Sequence, residues 1–133
     1  MNIRSLKKYA LLFFIGAAGY AAMETIWRGY THWSMIIAGG ICFILFSLVV
    51  KRMNGRSIFL KAAVCALCIT AVEFIFGLIF NVALKMNVWD YSDMPLNILG
   101  QICPTFTLLW GGVALAFIPL AEAINHKYSH SEA

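Results

Sequence analysis

Charge is what this sequence has least of. Lys, Arg, Asp and Glu make up 12% of its 133 residues, against about 25% in an ordinary soluble domain. Apolar residues make up 62%. A soluble fold of this length could not cover so much apolar surface with so few charges, whereas lipid as solvent removes the difficulty. Catalytic signatures are missing too. There is no G-x-x-x-x-G-K-S/T, so the chain is not expected to hydrolyse ATP itself. There is no HExxH or GxSxG, and no loop long enough for a soluble catalytic domain, so an enzyme is not expected. No cofactor or metal is called for.

The four cysteines, Cys42, Cys65, Cys68 and Cys103, all lie inside or beside apolar runs. A disulfide scaffold would place them in polar loops. Cys65 and Cys68 share a helix face at i, i+3, with no histidine near, and read as small residues that ease helix packing. The net charge is +4, but the basic residues stand at the ends of apolar runs, where they report orientation rather than nucleic-acid binding.

Length allows one domain, residues 1–133. A span needs about 20 apolar residues, and four segments qualify. They run from Lys8 to Trp27, Trp33 to Val50, Ile58 to Leu84, and Ile102 to Ile124. The fold class is therefore an all-α integral membrane protein of four transmembrane helices in two hairpins. Arg4, Lys7 and Lys8 before the first run mimic a signal peptide. That run continues through Glu24 to Trp27, which favours a retained helix. Lys61 is expected to snorkel to the headgroups. Pro119 is expected to bend the fourth span, and Gly111 and Gly112 to allow close helix approach.

Orientation follows from the basic residues. Eight lie on the side of the termini and the second connection: Arg4, Lys7, Lys8, Lys51, Arg52, Arg56, Lys61 and Lys127. Only Arg28 and Lys85 lie on the other. Both termini are thus expected in the cytoplasm of a bacterial inner (plasma) membrane. Trp27, Tyr30, Trp33, Trp89 and Tyr91 would form the outer aromatic belt.

Between the third and fourth spans, Ser92 reads as an N-cap with Asp93 in the first turn. The spacing predicts a short interfacial or re-entrant helix over Asp93–Cys103, kinked at Pro104 into the fourth span. A weak repeat, at a shift of about 61 residues, pairs Tyr30 with Tyr91, Ile37 with Ile98, Gly39 with Gly100, Ile41 with Ile102 and Cys42 with Cys103. It fits a duplication, and it also fits chance in a biased composition.

Two acids stand inside spans, where a charge costs several kcal/mol unless neutralised or paired. Glu73 lies near the midplane and Glu24 nearer the outer surface. Glu24 can pair with Arg28 at i, i+4. Glu73 reads either as a cation or proton site facing the bundle interior or as an acid hydrogen-bonded between helices. Asn81, Asn97 and Gln101 could add polar contacts on the outer side, or act as interhelical glue. Trp89-Asp90-Tyr91-Ser92 reads as belt aromatics with a helix cap, or as an outer gate near Glu73.

With Trp89-Asp90-Tyr91-Ser92 followed by Pro95, Asn97, Gly100 and Ile102, the chain resembles the bacterial ABC-transporter type IV, or CmpB-like, family. That family pairs W-D-Y-S with N-x-x-G-x-I. It carries one acid in the first span and another in the helix before W-D-Y-S, places that Glu24 and Glu73 fit. Arg28-Gly29 is similar to the family's R-G after the first span. At Trp33-Ser34-Met35-Ile36 the chain departs from the family's C-P-I-Y-G-like stretch. The resemblance implies a membrane permease-like component. So small a bundle would work as a homodimer or with other membrane subunits, among them a separate ATPase. The alternatives are a non-transporting structural or regulatory subunit and a proton-coupled carrier similar to small multidrug exporters.

Overall fold

The computed structural model describes residues 2–128. It contains four helices long and apolar enough to cross a membrane. α1 spans Ile3–Arg28, α2 Trp33–Arg52, α3 Ile58–Phe76 and α4 Pro104–Lys127. α3 runs on as a π-helical extension, Gly77–Ala83. At 1.5 Å per residue the helices are about 30 to 39 Å long, enough for the hydrocarbon core. No strand forms among the described residues, so the expected fold class holds.

The ends of the helices follow local chemistry. The Asn2 side chain accepts from the Ser5 amide and starts α1 a full turn earlier than the hydropathy suggests. α1 closes at Gly29, whose φ of 81° lets its amide reach the Thr25 carbonyl. Ser57 caps α3 through the Phe59 amide.

α2 is the central helix: α1 rests on it, and it also touches α3 and α4, which pack on each other. The α1–α2 crossing is built from glycine. A Cβ on Gly16 would run into the Gly39 carbonyl and the Phe43 Cβ. Lipid tails are as apolar as leucine, so helices in a membrane hold together by such close backbone approach. Leu12, Phe43, Phe46, Cys65, Ala114 and Ile118 form the main core. Cys65 thus packs as a small core residue, and all four cysteines are free thiols.

Three expectations change. Asp93–Cys103 is not a helix but a run of turns, closed by an antiparallel bridge between Ile98 and Ile102. Side chains take the backbone's partners there. Asp90 Oδ1 accepts the Ser92 amide, and Asn97 accepts the Gly100 amide while donating to the Ser92 and Met94 carbonyls. Pro104 does not kink a longer helix. It begins α4, preceded by an extended Cys103, the position where a missing amide costs nothing. Lys61 does not reach for the surface. It is buried, with Nζ 3.1 Å from Glu122 on α4. The residues paired by the weak repeat also differ in structure. Ile37, Gly39, Ile41 and Cys42 are helical, whereas Ile98, Gly100 and Ile102 lie in turns.

A buried carboxyl and an aromatic vestibule

Glu73 sits on the last turn of α3, just before the helix widens at Gly77. It is 4% exposed. Each carboxylate oxygen has one neutral donor. Trp110 Nε1 on α4 donates to Oε1 at 2.8 Å, and Tyr91 Oη donates to Oε2 at 2.9 Å. No cationic side chain pairs with it among the described residues. Burial, reinforced by the neighbouring Glu73, pushes the Tyr91 phenol well above its ordinary value, so Tyr91 stays a donor at any physiological pH.

Tyr91 is placed from both sides. Its ring stacks on Phe106 at 4.4 Å and 6° between planes, and its amide donates to the Gly100 carbonyl. Gly100 adopts φ 71°, with Asp90 Oδ1 2.9 Å from where a Cβ would stand. Glycine is therefore required by both conformation and space. Leu96 and Leu99 also take positive φ, 58° and 55°, a conformation that costs about 1–2 kcal/mol for a residue with a Cβ. Asn97 bonds across the segment that contains them. Strain held in place by surrounding contacts is a mark of functional segments.

The π-helical turn aims Asn81 at the same connection. Wider turns of this kind are frequent at functional sites. Asn81 Nδ2 donates to Gln101 Oε1 at 2.8 Å, and Asn81 Oδ1 accepts the Val88 amide at 2.6 Å. Gln101 is buried, its Nε2 donates to the Leu99 carbonyl, and its own carbonyl accepts from Trp89 Nε1. A Cβ on Gly77 would collide with the Gln101 side chain, so Gly77 makes room for this crossing.

Glu24 and Arg28 form the expected pair, Oε2 to Nη2 at 2.8 Å. Glu24 Oε1 also accepts from Thr31, and Arg28 Nη1 donates to the Val88 carbonyl. The guanidinium lies over the Tyr30 ring at 4.6 Å. The pair thus fastens α1 to the connection that carries Tyr91.

Two cavities meet at this end. One of about 60 Å³, lined by Glu73, Tyr20, Cys42 and Gly39 among others, lies within the bundle. The second, about 300 Å³, opens between α1 and α4 and touches Glu24, Arg28, Trp89, Tyr91 and Phe106. Tyr20, Met23, Trp110 and Val113 border both.

Of the residues singled out in the sequence, Glu73 and Tyr91 form one pair and Asn81 and Gln101 another, to which Glu24 and Arg28 are joined through Val88; the Tyr91 amide on the Gly100 carbonyl brings the two pairs side by side. Asp90 and Asn97 do not reach the acid; they shape the connection. Trp89 and Tyr91 are not belt anchors, because their polar tips find partners inside. Trp27, Tyr30 and Trp33 remain exposed, as a belt requires. Sequence reasoning missed Trp110, Tyr20, Thr31 and Phe106. Trp110 alone left a signal: it falls within the fourth span, where an indole N–H needs a partner.

The fold and its buried acid define a multi-pass helical membrane protein with a polar centre near one end. The chain belongs to the family described as "Putative ABC-transporter type IV", whose model matches residues 10–132. It is an ABC-transporter-related membrane protein. No match was found among curated proteins or among solved structures.

Proposed function

We propose that the chain is a small membrane permease or transport component in which Glu73 binds a cation or a proton. The observation that carries this reading is the setting of Glu73: inside the bundle, on a cavity, held by two neutral donors rather than by a counter-ion. Glu24, by contrast, is neutralised by a base, Arg28. Holding by Tyr91 and Trp110 leaves the charge available to a mobile ion. On this reading the chain is not an enzyme, and it works as a homodimer or beside other membrane subunits, with any ATPase on a separate chain.

The experiment is infrared difference spectroscopy between acidic and alkaline buffer, on the purified protein in lipid. The wild type should show a carboxyl band that disappears in Glu73→Gln, while the variant keeps the helical content of the parent. An unchanged band in Glu73→Gln would reduce the residue to interhelical glue.

The basic residues further support a chain with both termini in the cytoplasm of a bacterial inner membrane. Ser92→Cys should then react with an impermeant thiol reagent added to intact cells, and Asn54→Cys should not, each in a background without native cysteines. Reaction at position 54 alone reverses the orientation.

A further inference from the structure

The larger cavity has a chemistry of its own. Six aromatic residues line it: Tyr20, Trp27, Trp89, Tyr91, Phe106 and Trp110. Its volume of about 300 Å³ is that of a small-molecule site. It opens between α1 and α4, and its lining includes Trp27, 81% exposed, and Leu109, 50% exposed. The mouth therefore faces lipid near the end of the span.

We infer that this vestibule is a binding site for an amphiphilic organic cation, a substituted ammonium carrying an apolar group. The occupant's polarity follows from the solvent. A purely apolar molecule gains nothing by leaving lipid tails for an apolar cavity, because both are equally free of water. What the cavity offers beyond lipid is electrostatic: ring faces, each with a negative quadrupole, attract a desolvated cation. The acids agree in sign. Glu24 is on the lining and Glu73 stands directly behind Tyr91 and Trp110, against the single guanidinium of Arg28. Arg28 is engaged by Glu24, the Val88 carbonyl and the Tyr30 ring, with its buried Nε left without a partner among the described residues. An anion would meet the Glu24 carboxyl and six aromatic rings, with the Glu73 carboxyl behind two of them. The inference rests on the reading of Glu73 as the ion site in one respect only, that the two cavities make one path.

The test compares three probes of like shape on the full chain in nanodiscs of zwitterionic lipid, by equilibrium dialysis against empty nanodiscs. They are benzyltrimethylammonium, its neutral carbon isostere neopentylbenzene, and benzylphosphonate. The cation should be retained above the empty nanodiscs, and about tenfold better than the isostere. Trp27→Leu, which alters an exposed residue and spares the fold, should weaken the cation about fivefold and leave the isostere unchanged. Equal retention of the isostere, preference for benzylphosphonate, or no retention of the cation overturns the proposal. Failure of the ion-site reading looks different. Cation binding that discriminates against the isostere but is the same in wild type and Glu73→Gln, at every pH, upholds the vestibule site and removes Glu73 from its path.

Discussion

At the end of the bundle that holds the termini, the polar side chains meet each other across helices. Lys61 on α3 meets Glu122 on α4, Ser47 on α2 donates to Asn125 on α4 at 2.6 Å, and Arg4 on α1 reaches the Lys127 carbonyl. α4 is thus tied to all three other helices. At the opposite end, Glu73 is held only by neutral donors, and α1 and α4 stand apart around a vestibule. Both ends place polar groups in an apolar solvent, but the buried charge of Lys61 has an opposite charge beside it and the buried carboxyl of Glu73 has not. On the proposed reading the terminal end holds the helices together and the loop end takes the ligand.

The sharpest way to break this comparison is to remove the tie that carries least charge and most burial. Ser47 is fully buried, and Asn125 both accepts from its hydroxyl and donates to its carbonyl. Asn125→Leu leaves the buried Ser47 hydroxyl without this partner, while the Ser47 carbonyl keeps its helical amide. The loss should be about 1–2 kcal/mol of stability, the range for interhelical hydrogen bonds in membranes, read as an earlier midpoint in mixed-micelle denaturation. Retention of benzyltrimethylammonium, measured under conditions where the variant is folded, should not change. A variant as stable as the parent, or one that is folded yet loses the ligand, would erase the division between the two ends.

How far the two ends could be read beforehand differs as well. The four spans, the Glu24–Arg28 pair and the interior acid were legible, because they depend on local spacing and on the high cost of charge in lipid. Gln101 was expected as a polar contact on the outer side, but on a helix that does not form. The connection from Trp89 to Cys103 was not. Its helix signals at Ser92 and Asp93 are real, but Asn97 and Asp90 satisfy the backbone in turns instead, and helix propensity is a weak prior against such side-chain partners. The partners of Glu73 were only half legible. Tyr91 belongs to a motif, whereas Trp110 was marked only by an indole N–H inside a span, which needs a partner but does not say which. The terminal ties were the least legible, since Lys61, Ser47, Glu122 and Asn125 are far apart in sequence and each looks like an ordinary helix-end residue. The π-helical turn left no sign beyond Gly77.

The finest test of the division lies in the ion pair at the terminal end. Its partners are unequal: the Lys61 side chain is 7% exposed and that of Glu122 is 44% exposed. Removing one or the other should therefore not be equivalent. Glu122→Leu leaves an ammonium inside the bundle without its partner, and should destabilise by about 1–3 kcal/mol unless the long stem swings the charge out to the headgroups. Lys61→Met removes the buried charge itself. The carboxylate left behind is half open to solvent, and methionine fills the space of the lysine stem, so the change should stay within about 1 kcal/mol. Mixed-micelle denaturation of both variants, with the double variant closing the cycle, reads this directly. The expected order is Glu122→Leu well below wild type and Lys61→Met close to it. If instead Lys61→Met were the more damaging, the lysine would be holding something other than Glu122, and the terminal end could no longer be described as polar groups that satisfy one another.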